Sequence, residues 1–339
     1  MNKNKKIKAA VIGLGVGIHH ARTLSSHPHC DLIWICDYNK AKLDNINLEF
    51  PEAKKTQNDQ DILNDPDVDV ICIASYDEAH YKQVVQALKN NKHVYIEKPM
   101  CLSKKEAINI RKTLNENPSN KISSNMVLRT CPLFLKIRDK VKENKMGDIY
   151  YLEADYLWGR KEKLINGWRQ EANFYSIIHG AAVHMIDLAV WLIGKKPITV
   201  QALGNNISIR GSKQSYNDFA SILLDFDDQI IVKVSAHGGC VHPHFHALKV
   251  YGKNLTFIHE TTGTVWVDSA NPDKGFKKEL AEYPAKTKRN NALISFIDSI
   301  LDDTKLSLVN DEEVFTTASI CLAAEQSVEN GKKINIEYL

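Results

Sequence analysis

Three groups of residues in this 339-residue chain combine types and spacings that can do chemistry. The first is Gly13-Leu14-Gly15-Val16-Gly17-Ile18, which follows an apolar run at 7–12 and precedes a helical pattern. Glycine permits a tight turn and close approach of the backbone to a pyrophosphate. The helix N-terminus behind it offers N–H groups and a favourable dipole to the anion. Asp37 ends the next apolar run, 20 residues after Gly17. A carboxylate at that place accepts hydrogen bonds from the ribose hydroxyls of an adenine dinucleotide and repels a 2′-phosphate. The order strand, glycines, helix, strand, acid therefore predicts a dinucleotide site that prefers NAD to NADP. Position 18, where the usual third glycine falls, is Ile18, so the loop is expected to be one residue short.

The second group is Glu97-Lys98-Pro99, after the apolar run 93–96. In an open parallel sheet, ligands bind beyond the C-terminal ends of the strands. Lys98 is then placed to hydrogen-bond a substrate hydroxyl and stabilise a developing alkoxide. A surface lysine closing a strand has the same sequence signature. The third group lies on a run at 181–193 that is apolar except for His184 and Asp187. Helical spacing sets these two on one face with Leu188 and Trp191. Two ionisable groups on a helix buried nearly all round must be paired, ligated or facing a cavity. His184 can exchange the proton of a reacting hydroxyl, or can simply be satisfied by Asp187 or a backbone group.

Weaker signals surround these. Tyr156 and Arg160 close a strand, and Trp168-Arg169 follows Gly167 upstream of the His184 helix. Guanidinium groups there suit a substrate carboxylate or phosphate, although a surface or packing role fits Arg160 equally well. His237, His242, His244 and His246 raise the question of a metal, since 242, 244 and 246 share one face of a strand. Pro243 interrupts that strand and only Cys240 adds a ligand. A sheet surface, an interface or a substrate pocket is the expected setting, and no metal is expected.

The elements that must position these groups change character along the chain. Apolar runs at 7–12, 31–36, 69–74 and 93–96 alternate with helical patterns at 18–26, 39–50, 77–90 and 103–115, which predicts a parallel sheet covered on both faces. That regime is expected to end near residue 122. A helix follows at 133–144, then longer strands at 149–157, 199–203, 219–226, 230–236 and 244–251, with helices at 181–193, 290–302 and 311–329. Strands in succession without helices predict a mostly antiparallel sheet. The expected class is α/β, with a dinucleotide-binding domain over 1–122 and an α+β substrate-binding and oligomerisation domain over 123–339.

Composition narrows the partners. Charged residues make up 25% and hydrophobic ones 43%, the balance of a soluble globular protein. Lys and Arg total 44 against 41 acids, too even for a nucleic-acid footprint. The seven cysteines are odd in number and widely spaced, without a C-x-x-C pair, as in a reducing cytoplasm. Lysines before the apolar run at 9–18 superficially resemble a secretion signal, but the glycines within it argue otherwise. No stretch is long and apolar enough to expect a membrane span.

Together these motifs resemble the Gfo/Idh/MocA oxidoreductases. The resemblance rests on Gly13-x-Gly15-x-Gly17-x-x-His20, on Ser75-Tyr76-Asp77-Glu78-Ala79-His80, on Glu97-Lys98-Pro99, on His184-Met185-Ile186-Asp187-Leu188 before Trp191-Leu192-Ile193-Gly194, and on Tyr251-Gly252-Lys253. It implies a Rossmann domain, a second domain with a large open sheet, and a homodimer or homotetramer formed through that sheet. It also implies cofactor contacts from the glycine loop, Ser75, Tyr76, His80, Glu97 and Lys98, and catalysis by Lys98 and His184. Many members carry an aspartate four residues before the histidine, where this chain has Gly180. The expected function is hydride transfer between NAD and a carbon of a sugar, polyol or nucleotide sugar. A catalytically idle NAD-binding regulator and a redox-neutral sugar enzyme holding NAD share the same signature.

Overall fold

The computed structural model describes residues 6–172, 174–270, 272–274 and 277–339. They form two units, one built from residues up to Val127 together with Thr287–Ala318 and Leu339, the other from Leu128–Lys286 and Ser319–Tyr338. This differs from two consecutive segments divided after residue 122, because the chain returns to the first unit late in its course.

In the first unit, strands β1 (Ile7–Ile12), β2 (Cys30–Cys36), β3 (Lys54–Thr56), β4 (Val70–Ile73), β5 (His93–Ile96) and β6 (Ile122–Ser124) alternate with helices α1 (Gly17–Ser26), α2 (Lys40–Asn45), α3 (Gln60–Leu63), α4 (Asp77–Lys89) and α5 (Lys104–Glu116). The strands are parallel, in the order β3-β2-β1-β4-β5-β6. All four residues of β4 are buried, as a strand covered on both faces requires. The order reverses between β1 and β4, which opens a crevice at their carboxyl ends. The helix expected over 39–50 stops at Asn45 and continues as turns. Pro51 disfavours helical backbone at the residue before it, while Ile46 and Phe50 still reach the core. Ser103 caps α5 by accepting the Glu106 N–H, and the Glu106 carboxylate accepts the Leu102 N–H.

The second unit holds α6 (Pro132–Lys142), β7 (Ile149–Leu157), α7 (Lys161–Ile165), α8 (Trp168–Glu171), α9 (Val183–Ile193), β8 (Thr199–Asn205), β9 (Phe219–Asp225), β10 (Ile231–His237), β11 (Phe245–Gly252), β12 (Leu255–Glu260), β13 (Gly263–Asp268) and β14 (Lys277–Lys278). Helix α10 (Asn291–Leu301) returns to the first unit, where Ala292, Leu293, Phe296 and Ile297 join the core beneath β1 and β2. Helix α11 (Asp311–Asn330) contributes to both units, and β15 (Ile334–Asn335) closes the second sheet. That sheet runs β14-β13-β12-β11-β7-β10-β9-β8-β15. It is antiparallel except between β7 and β10. The hairpin β12–β13 and the edge strands β14 and β15 were not expected from the sequence. Alternation along β7 and β11 turns Leu152, Ala154 and Tyr156, and His246, Leu248 and Val250, to the buried side. Helix α9 packs there, against β7, β10 and α6. A π-helical turn (Ile178–Ala182) leads into it and Gly194 in the left-handed conformation ends it. No helix among the described residues is long and apolar enough to cross a membrane.

Candidate functional site

The carboxyl edge of the first sheet carries the glycine loop. Gly13 has φ +92, and a Cβ there would lie 2.2 Å from the Ala74 carbonyl oxygen, so only glycine fits. A Cβ on Gly17 would press on Val11 and Ala74 at 3.0 and 3.1 Å, which holds α1 close to β1 and β4. A Cβ on Gly15 would meet nothing within 4 Å. That open cradle, at the head of a helix with no acid in its first turn, fits the pyrophosphate of a dinucleotide. Gly13→Ala is expected to lower stability by about 2–3 kcal/mol. Gly15→Ala should leave the melting temperature unchanged and weaken NAD binding by about tenfold or more. Thermal unfolding and calorimetric titration of the two variants separate these outcomes.

Asp37 is buried, and its carboxylate accepts the N–H groups of Leu14 at 2.8 Å and Asn39 at 2.9 Å. Its Oδ2 also lies 3.1 Å from Lys42 Nζ. Lys42, in the first turn of α2, is a counter-charge that the sequence reading missed. Tyr38 and Tyr76 stand over this edge, partly exposed, with their hydroxyls hydrogen-bonded and their rings 5.7 Å apart. Tyr38 was also missed, since an exposed aromatic beside a loop leaves no periodic signal.

Several expected cofactor contacts turn inward instead. The Leu14 side chain is in the core with its N–H on Asp37, and Ile18 packs against the same core. Val16 remains at the surface. His80 is 1% exposed and bridges two loops, with Nδ1 2.6 Å from the Pro99 carbonyl and Nε2 3.2 Å from the Ser75 carbonyl. The Ser75 hydroxyl donates to Gln83. Glu97 is buried, hydrogen-bonded by His20 at 2.9 Å and Asn125 at 2.5 Å. Burial pushes its carboxyl up, but the hydrogen bond and charge of His20, the Lys98 charge and Asn125 outweigh it, and the net direction is down. Glu97 and His80 therefore brace the loops that present Lys98, which is half-buried at the end of β5.

In the second unit, His184 and Asp187 share α9 as expected but face different partners. Asp187, expected to touch substrate, is 1% exposed and receives Arg129 through both oxygens, Nε at 2.9 Å and Nη2 at 2.8 Å. Its carboxylate is a structural counter-ion. The His184 ring meets Tyr156 edge-on with centroids 6.0 Å apart. Tyr156 stacks on His246, its direct partner across β7 and β11, at 4.6 Å. The Tyr156 hydroxyl lies 3.0 Å from His244 Nε2, and His246 Nδ1 lies 2.8 Å from the Tyr283 hydroxyl. Two of the histidines first weighed as metal ligands thus join a cluster with His184, whereas His242 is half-buried and bonds to the Pro243 carbonyl. No group of three or more His, Cys, Asp or Glu among the described residues is arranged to hold a metal. Arg160 is exposed, and Trp168 and Arg169 lie half-buried on α8.

His179, two residues into the π-turn, is fully enclosed, and burial lowers its imidazole to about 4. It is neutral at pH 7 and cannot serve as a proton donor there. Burial also lowers His93 and His259 to about 4. These groups stay unprotonated in the fold while their unfolded counterparts take up protons near pH 6.5. Their stabilisation is therefore complete above pH 6.5 and is lost as pH falls toward 4, on the order of 1–3 kcal/mol each. Urea unfolding between pH 7 and 4 should show the midpoint falling, and His179→Leu should make that fall shallower.

The model of the oxidoreductase family with an NAD-binding Rossmann fold, GFO_IDH_MocA, matches residues 7–123, and that of its C-terminal domain matches residues 134–258. The chain belongs to the Gfo/Idh/MocA oxidoreductase family. Within this family it is similar to the scyllo-inositol 2-dehydrogenase (NAD(+)) of Bacillus subtilis, 21% identical over 98% of this chain and 97% of that protein. It is also similar to the scyllo-inositol 2-dehydrogenase (NADP(+)) IolW of the same organism, 22% identical over 74% of this chain and 68% of the other. The crystal structure of myo-inositol 2-dehydrogenase from Lactobacillus plantarum superposes with a TM-score of 0.80 at 21% identity, covering 98% of this chain and all of that one. The Rossmann fold and the second domain with its large sheet, both implied by the sequence motifs, are those of this family.

Proposed function

We propose that this Gfo/Idh/MocA protein is an NAD-dependent dehydrogenase of a sugar or polyol, with Lys98 and His184 as its acid–base pair. The observation that carries the reading is the open cradle at Gly15, set where the strand order reverses and on the same sheet edge from which Lys98 departs. The glycine loop and Asp37 would hold the dinucleotide, whose nicotinamide supplies the hydride acceptor. The Lys98 ammonium donates a hydrogen bond to the substrate oxygen and stabilises the negative charge that grows there as the carbon loses hydride. The His184 imidazole takes the hydroxyl proton and returns it to water, leaving a carbonyl. Tyr156, held by His244 and His246, orients His184.

Substrate class rests on the inositol dehydrogenases among the relatives. The preference for NAD rests on Asp37, whose carboxylate is fixed by two backbone N–H groups and repels a 2′-phosphate. Lys42 moderates that repulsion, and the relatives include enzymes named for each cofactor. The test is absorbance at the reduced-nicotinamide band with NAD and a panel of inositols, aldoses and sugar acids. Formation of reduced cofactor with any of them supports the reading. No turnover across the panel, with calorimetry showing NAD bound, would leave a binding protein and defeat it.

A further inference from the structure

We propose that Arg169 receives an oxyanion substituent, a carboxylate or a phosphate, carried by the sugar substrate. This rests on the dehydrogenase reading and names the substrate class more closely. The Arg169 guanidinium is surrounded by three aromatic rings, with its carbon 4.4 Å from the Trp168 centroid, 5.2 Å from Trp158 and 5.3 Å from Tyr175. Its Nε is buried and has no hydrogen-bond partner among the described residues. Nor does any described carboxylate form an ion pair with it. Guanidinium carries its charge at every working pH, and a charge drawn partly out of water needs an anion. Aromatic faces fix its plane by cation–π attraction and leave the in-plane N–H groups to engage an oxyanion in bidentate fashion.

Among the described residues, the surroundings deny Arg169 an internal counter-ion. Tyr175 is 3% exposed and packs on Tyr216 with centroids 5.0 Å apart. A side chain begun at Gly180 would have its Cβ 2.2 Å from the Tyr175 hydroxyl oxygen. An acidic residue therefore cannot occupy position 180 while the phenol is there, and a neutral group borders the guanidinium instead. Asp218, whose charge reaches Tyr216, has its Oδ2 engaged by the Ser208 hydroxyl and the Ile209 N–H. Glu171, on the same short helix as Arg169, is exposed. Arg160 differs, since it is exposed and lies over no ring among the described residues. A partly desolvated cation, oriented by rings and left without an acid, is the arrangement of a receptor for an anionic ligand.

The experiment uses the full chain with saturating NAD and three matched probes: glucose, glucuronate and glucose 6-phosphate. Thermal shift with each probe gives a readout independent of turnover. One of the two anions is expected to raise the melting temperature where glucose does not, and to show kcat/KM about tenfold or more above glucose. The anion that does so distinguishes a carboxylate from a phosphate receptor. Arg169→Gln should abolish that advantage, lowering kcat/KM for the favoured anion by about tenfold or more and for glucose by much less, and Arg169→Lys should restore part of it. Equal thermal shifts for neutral and anionic probes, or an Arg169→Gln effect that falls equally on all three, would overturn the proposal. Anion-dependent thermal shifts without any reduced nicotinamide would support the receptor while defeating the dehydrogenase reading.

Discussion

Lys98→Met is expected to lower kcat/KM by about 10³-fold while leaving NAD affinity within about threefold of the parent. Methionine keeps the length and apolar stem of the side chain and removes only the ammonium. Lys98 sits half-buried at the end of β5, on a loop braced by Glu97, held by His20 and Asn125, and by His80, which ties Pro99 to Ser75. The backbone around it is therefore set by neighbours that the substitution does not touch. Loss of a group that acts only as charge develops on the substrate oxygen lowers kcat and kcat/KM together. Loss of a binding contact alone would raise KM and spare kcat. Stopped-flow hydride transfer and calorimetric NAD titration give both numbers. Near-parental kcat in Lys98→Met would remove this lysine from the chemistry.

The second large effect concerns stability. Asp187→Asn should destabilise the fold by about 3–5 kcal/mol, because it removes the charge that a buried guanidinium engages through two hydrogen bonds. Both ends of the pair are almost inaccessible, with side-chain exposures of 2% for Arg129 and 1% for Asp187. Arg129 also lies over the Trp191 ring at 5.7 Å, so it cannot swing out to water without disturbing that packing. On a total of about 5–15 kcal/mol this is a large fraction, and the melting temperature should drop by roughly 10 °C. Replacing both partners, Arg129→Met with Asp187→Leu, should recover most of the loss, since a well-packed apolar pair avoids the cost of burying two charges. The measurement also decides the role of Asp187. A substrate contact would alter KM and leave unfolding unchanged, whereas a counter-ion gives the reverse.

The sequence determined those features whose signal is local. Strands of four to seven apolar residues, the glycines at 13, 15 and 17, the acid at 37 and the nearly all-apolar run of α9 each follow from periodicity or backbone sterics within a few residues. These local signals were enough to reach the two-sheet architecture and the family. Tertiary structure decided the long-range pairings. Arg129 meets Asp187 across 58 residues, Tyr156 meets His246 through sheet register, and α10 rejoins the first unit after eight of the nine strands of the second sheet. It also separated residues that look alike in sequence. His80, Glu97 and Asp187 are structural because their polar atoms are already satisfied in the interior, while Arg169, enclosed by rings 11 residues before Gly180, has no acid to answer it among the described residues. A partner's identity depends on where distant segments pack, and a one-dimensional pattern carries no record of that distance.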